Sequence, residues 1–260
     1  MTRQLQKEKW DRLAAGMSDF YGAASTQYYR ACEQNLVRRA FGNLAGVRLL
    51  KLDLWNEAFN TRILHWAREE GARIFAVDLS DVVTRTAAER AAEAGVELAL
   101  AKGDIRELPY ADDSFDCVYT MGTIEHIEEY DQALREIHRV LRPGGRAVVG
   151  VPNKHDPWLR PLLVELMQAL DVYPYSPEKA FSSAELQREV EAAGLELCFR
   201  SGILAYPGLL RMAELWCYTR GLPLHHLARP LVRPFEWLET GFAWAGHLGY
   251  LLAHVVQKNG

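Results

Sequence analysis

The sequence predicts an α/β fold: a seven-stranded, mostly parallel sheet with helices on both faces, an N-terminal helical cap, and a helical insertion between the last two strands. Two observations carry this expectation. Short apolar strand patterns alternate with helix-length amphipathic segments from residue 47 to residue 151, which is how crossover units with parallel strands read. Beyond that stretch the rhythm changes, and the last two strand patterns are separated by about forty residues rich in aromatics, leucine, proline and arginine.

Each element has a local reason. Residues 6–41 read as helical, with Leu36, Val37, Ala40 and Phe41 at helical spacing before the glycine-bearing breaker at 42–46. This sets an N-terminal cap over 1–46. Then come a strand at 47–54, a helix at 61–70, a strand at 73–78, a helix at 83–94, a short strand at 97–101 and a strand at 115–120. A helix at 130–141 and a strand at 146–151 complete the alternation. A helix at 158–170 and a Tyr/Pro loop at 173–177 follow, then a helix starting at Ser182 or Ser183, where Ser182 and Glu185 fit a capping box. The final strands fall at 195–203 and 249–257, so the core comprises 47–204 and 248–260, and the insertion spans 205–247.

Composition narrows the classes of function. A chain of 260 residues can bury one substantial core, and 49% hydrophobic with 25% charged residues fits a globular protein. The formal net charge of -4 lacks the basic excess of a general nucleic-acid binder. Cys32, Cys117, Cys198 and Cys217 show neither zinc-ligand spacing nor a disulfide framework, so no metal is expected and the thiols read as reduced and buried. The polar start of the chain has no signal-peptide character and no apolar run reaches membrane-spanning length, which makes the cytoplasm the expected compartment.

The most specific stretch is GDIRELPYADDSFDCVYTMGTIEH at 103–126, followed by ALREIHRVLRPGGR at 133–146. It closely resembles the class I methyltransferase superfamily, particularly the branch of ubiquinone and menaquinone biosynthesis methyltransferases. The resemblance runs from about residue 47 to residue 153 and implies a Rossmann-like domain that uses S-adenosylmethionine and releases S-adenosylhomocysteine.

Site residues follow from the motifs and from that resemblance together. Asp78 ends the second strand, where a carboxylate can accept both ribose hydroxyls; the competing role is a helix N-cap. The family position of Asp104 implies contact with the adenine amino group, with Ile105 packed beside the ring and Leu79 at the adenosine edge. Thr120 and Met121 stand where the family lines the methionine part of the cofactor. Glu125 and His126 come next as catalytic candidates: His126 can take or orient an acceptor proton, or it is a helix-start histidine satisfied by a carboxylate.

One feature is discordant with the family. Where it places an acid and a glycine-rich loop, this chain reads KLDLWNEAFNT at 51–61, which puts Trp55, Glu57 and Phe59 in the glycine positions after Asp53. Three outcomes are open. The loop swings outward, and Asp53, Asn56 or Glu57 takes the methionine ammonium; or Trp55 or Phe59 faces the sulfonium; or the side chains fill the site.

For the acceptor, Tyr28 and Tyr29 upstream, Trp158 and Tyr175 after the core, and Trp216 and Trp237 in the insertion are the candidate contacts. The insertion reads as a lid over an apolar small molecule, with a homodimer surface or a peripheral membrane contact as the other uses of its apolar face. The expected function is methyl transfer to a small, apolar or aromatic acceptor by direct displacement. The alternatives are a catalytically silent binding or assembly protein, or an enzyme using an adenosyl ligand for another reaction.

Overall fold

A computed structural model describes residues 2–173, 175, 177–242 and 244–260, leaving out the side chain of Leu224; within the 173–177 loop, Pro174 and Ser176 lie outside the described residues. The seven strands are β1 (Arg48–Lys51), β2 (Arg73–Asp78), β3 (Ala99–Lys102), β4 (Phe115–Met121), β5 (Leu141–Pro152), β6 (Leu195–Ile203) and β7 (Leu251–Lys258). They form one sheet in the order β3-β2-β1-β4-β5-β7-β6. The first five strands pair in parallel, and β7 enters antiparallel to both neighbours. Crossovers run one way from β1 to β3 and the other way from β4 onward, so the switch in strand order lies between β1 and β4.

Alternation along each strand feeds two cores. Leu49, Ile74, Tyr119 and Val148 face one side, while Leu50, Val77, Val118 and Val149 face the other. On the first side pack α2 (Ala24–Phe41), α4 (Ile63–Glu69) and α5 (Asp81–Glu93); on the second pack α6 (Tyr130–Val140) and α8 (Ser183–Ala192). The Ser182–Glu185 capping box at the start of α8 is formed, with both reciprocal bonds present.

Several boundaries differ from the sequence expectation, each for a local reason. The long N-terminal helix is two helices, α1 (Arg3–Ala15) and α2. The N–H of Gly16 caps α1, and Gly22 lets the chain pass Tyr218, whose hydroxyl lies 2.4 Å from where a Cβ would sit. Strand β1 stops at Lys51 because the Lys51 ammonium turns back onto the Asp53 carbonyl and carboxylate. A short helix the sequence did not suggest, α3 (Trp55–Phe59), follows. The thiols are free, but Cys198 is exposed and Cys217 half-buried rather than buried.

After β5, α7 (Arg160–Ala169) precedes α8, and between β6 and β7 the chain runs through α9 (Gly208–Thr219) and α10 (Ala228–Gly241). Its return to the sheet depends on glycines. A Cβ on Gly202 would meet the Gly246 carbonyl at 2.4 Å, and one on Gly249 the Ile203 carbonyl at 2.0 Å. Among the described residues, no helix is long and apolar enough to cross a membrane. Because neither backbone can yield cheaply, Gly202→Ala is expected to destabilise the fold by about 1–3 kcal/mol. Denaturant unfolding checks this, and an unchanged midpoint would contradict the packing described.

Candidate functional site

A cavity of about 430 Å³ opens beyond the carboxyl ends of β1 to β4, covered by α1, α7 and α9. Its position at the reversal of strand order is where ligands of such sheets bind.

At one end lie Asp78 and Leu79 after β2, and Asp104 and Ile105 after β3. Asp78 accepts one backbone bond on each oxygen, from Ser80 at 2.7 Å and Leu54 at 2.8 Å. A carboxylate offers about four acceptor positions, so two are left for a ligand's hydroxyls. Burial pushes the Asp78 carboxyl up to about 6, against the lowering effect of those backbone bonds. Asp104 is engaged differently. Its Oδ1 accepts the Arg106 backbone N–H and Nε, both at 2.9 Å, while Oδ2 faces Arg106 Nη2 at 2.6 Å and Arg3 Nε at 3.2 Å. Burial acts upward on Asp104, but the Arg106 bonds outweigh it and hold the carboxyl below its usual range. Arg106 also donates to Gln6 of α1, so the same guanidinium fastens the cap over this end.

Met121, Glu125 and His126 line the middle. His126 Nδ1 lies 3.3 Å from the Pro177 carbonyl; with the proton on that nitrogen, the basic lone pair is on Nε2. Trp10 meets the His126 ring edge-on at 5.2 Å. Burial raises the Glu125 carboxyl well above its usual range, Glu178 adds to the effect, and Oε2 has no hydrogen-bond partner among the described residues.

Beneath the unusual loop sits a buried charge cluster. Lys51, fully enclosed, bonds Asp53 Oδ1 at 2.8 Å and the Asp53 carbonyl at 2.9 Å, and its Nζ is 3.9 Å from Glu57. Asp53 Oδ2 accepts Thr123 at 3.1 Å. Glu57 Oε2 accepts the Leu64 N–H, Oε1 has no hydrogen-bond partner among the described residues, and burial pushes the carboxyl up to about 8. Burial opposes the charge on Lys51, yet Asp53 and Glu57 hold its ammonium above the ordinary range. Trp55 stands over this cluster at the cavity wall, edge-on to Trp10 and to Tyr175.

The outer chamber pairs Arg160 with Glu178 at 2.6 Å, and Tyr173 donates to the same carboxylate. Arg211 of α9 reaches the wall between α2 and the loop, donating to Ser25 Oγ at 3.0 Å and to Asn60 Oδ1 at 3.2 Å.

Of the residues chosen from sequence, the cavity brings together Asp53, Trp55, Asp78, Leu79, Asp104 and Ile105. Met121, Glu125, His126, Tyr29, Trp158 and Tyr175 also line it. Five lie elsewhere. Glu57 is under the floor, and Thr120 is buried in β4. Tyr28 is buried and donates to Glu239, while its hydroxyl accepts the Ala205 N–H. Trp216 and Trp237, 53% and 67% exposed, point away because their helices turn Leu215 and Val232 inward. Sequence reasoning missed Lys51, Trp10, Arg106 and Arg211. A charged residue inside an otherwise apolar strand was a readable signal for Lys51; the others become visible only once distant segments meet.

Sheet order, antiparallel seventh strand and acid-lined cavity define a Rossmann-like domain of the methyltransferase type. Residues 58–149 match the family described as "Methyltransferase domain". A methyltransferase GfsG from Streptomyces halstedii is 38% identical over 85 residues, covering 32% of this chain and 31% of that protein. A ubiquinone biosynthesis O-methyltransferase from Sinorhizobium fredii is 26% identical over 170 residues, covering 62% and 66%. The solved structure of the [4+2]-cyclase SpnF superposes with a TM-score of 0.63 at 21% identity, covering 99% of this chain and 96% of that one. The chain spans a third or less of the length of the first curated relatives it matches, 31%, 23% and 24%.

The cluster makes stability depend on pH. Glu57 keeps its proton in the folded state up to about pH 8, whereas an exposed glutamate loses it near 4.5. Its contribution is therefore complete below about pH 4.5 and lost as pH rises through 8. His65 and His254, lowered by burial to about 4, are already neutral above pH 6.5 and do not mask the effect. Thermal melts from pH 6.5 to 8.5 should fall for the wild type and be flatter for Glu57→Gln, with Glu33 and Glu125 supplying a residual slope of the same sign. Parallel profiles would refute this assignment.

Proposed function

We propose that the protein is an S-adenosylmethionine-dependent methyltransferase acting on a small, apolar or aromatic acceptor. The observation that carries the reading is Asp78: a cavity-facing carboxylate at the end of β2, both oxygens pinned by backbone and each with an acceptor position to spare. Ile105 and Leu79 supply apolar walls for a base, and Asp104 stands at the far edge of that end. The residues present fit an adenosyl group there. The wall that Trp55 and Asn56 make in place of bare glycine still leaves a cavity in the usual ligand-site range of about 300–1,000 Å³.

When bound, the cofactor supplies an electrophilic methyl group. The chain's part is alignment and exclusion of water. Trp10, Trp55 and Tyr175 form an aromatic wall at the junction of the two chambers. In this reading His126 is the side chain that would take or orient an acceptor proton; its Nε2 lies 3.9 Å from Glu125 Oε1. A cyclase shares the fold, so an adenosyl-dependent reaction of another kind is the second reading; retained binding without methyl transfer would favour it.

Titration calorimetry with S-adenosylhomocysteine tests the pocket. Asp78→Ala should weaken binding by about 1.5–3 kcal/mol, the size of hydrogen bonds to a charged group. Equal affinity of variant and wild type would remove Asp78 from the site, and no binding by the wild type would remove the reading itself.

The apolar rim suits an acceptor delivered from a lipid surface. Leu162, Leu166 and Leu170 of α7 and Leu209, Met212 and Trp216 of α9 are exposed stripes on the two helices that cover the cavity. Glu214 and Glu239 of the insertion are buried and Glu236 half-buried, while Arg220, Arg229 and Arg233 are exposed, an excess of outward cations that would complement anionic headgroups. Co-sedimentation with phosphatidylglycerol vesicles should be strong, weaker with phosphatidylcholine, and lost in Met212→Glu/Trp216→Glu. A stable dimer without vesicles, disrupted by the same changes, would assign the face to a second copy instead.

A further inference from the structure

Among the described residues, one guanidinium lining the cavity has no carboxylate in contact with it. Lys51 is matched by Asp53, Arg106 by Asp104 and Glu129, and Arg160 by Glu178. Arg211 is different. It is only 7% exposed, lines the cavity, and spends its guanidinium on two neutral oxygens, Ser25 Oγ and Asn60 Oδ1. The Tyr29 ring lies 5.5 Å below it. Glu214, one turn further along α9, faces the Ser25 backbone N–H with both oxygens at 3.2 Å and makes no ion pair with Arg211 within 4 Å among the described residues. A guanidinium held away from water without a contacting anion is costly, and a planar, bidentate carboxylate is the group whose geometry matches it.

The geometry points to Arg211 as a carboxylate-binding residue of the cavity, a role resting on the proposed adenosyl-dependent activity for one of its two sources. Asn60 and Asn56, which connect Arg211 and Tyr29 to the rebuilt loop, put this guanidinium beside the segment that replaces the glycine loop. A carboxylate reaching it belongs either to the amino-acid tail of the cofactor or to the acceptor. Both are monoanions, the charge that one guanidinium can neutralise; a doubly charged phosphate would leave one charge uncompensated.

The test uses the full chain, wild type and Arg211→Gln, and four probes by calorimetry. S-adenosylhomocysteine carries the tail carboxylate and 5′-methylthioadenosine lacks it; 1-naphthoate carries an acceptor-like carboxylate and 1-naphthamide is its neutral counterpart. If Arg211 holds the tail, the variant loses at least tenfold for S-adenosylhomocysteine and nothing for methylthioadenosine. If it holds the acceptor, the loss of at least tenfold falls on naphthoate and not on naphthamide. Arg211→Lys should recover part of whichever affinity is lost. The inference is overturned if neither carboxylate probe weakens, or if the neutral probes weaken equally, which is the mark of a purely structural arginine. A wild type that binds neither adenosyl probe defeats the proposed function, and the naphthoate pair then decides the role of Arg211 alone.

Discussion

The Lys51 ammonium is the constraint around which the site is arranged. A charge fully removed from water at the end of β1 has to be met, and the chain meets it with the Asp53 carboxylate and carbonyl. That closure follows the last sheet bond of β1, from the Leu52 N–H to the Tyr119 carbonyl, and precedes α3, which lies where a glycine loop would. Removing one partner of such a buried pair typically costs about 3–5 kcal/mol, because the other is left uncompensated. The cluster extends outward on both sides. Glu33 of α2 accepts the Tyr119 hydroxyl of β4, and Thr123 after β4 donates to Asp53. The cap, the first strand and the cavity-lining turn after β4 are therefore tied to one charge.

This explains how a bulky loop coexists with an open cavity. Glycines let backbone approach a ligand; here the backbone is instead coiled into α3 and drawn toward Lys51, and side chains form the wall. Trp55 and Asn56 line the cavity while Ala58 and Glu57 are buried behind them. The acids around the cavity are consequently unequal. Asp53 is committed to Lys51 and Thr123, Asp104 to arginines, and Asp78 alone of the three has only backbone N–H partners and room for a ligand's hydroxyls.

The sheet was legible because strands and crossover helices write their periods into sequence, and because residues 103–146 carry a specific turn-and-strand pattern. The first four strands, the capping box at Ser182 and the position of Asp78 followed from local chemistry. What was not legible depends on contacts across long separations. Tyr218 packs on Gly22, in the link between α1 and α2, from nearly two hundred residues away. Trp216 and Trp237 looked like pocket aromatics by composition, yet helical phase turns them outward, and their phase could be fixed only by knowing which face of α9 and α10 meets α2. Tyr28 and Glu239 similarly pair across 211 residues to anchor α10, which no local pattern announces.

The insertion and the altered loop behave as one construction rather than two departures from a common fold. Arg211 of α9 donates to Asn60; Asn60 donates to Asn56; and Asn56 donates to Tyr29 of α2, whose ring lies under Arg211. Glu214, from the same helix, satisfies the otherwise uncapped start of α2 at Ser25. The circuit closes through three segments that the sequence keeps far apart. Without α9, the polar atoms of Asn60 and Ser25 would lose buried partners. A chain that keeps Trp55 where glycine is usual needs such a brace, and α9 provides it while carrying an unmatched cation to the cavity wall.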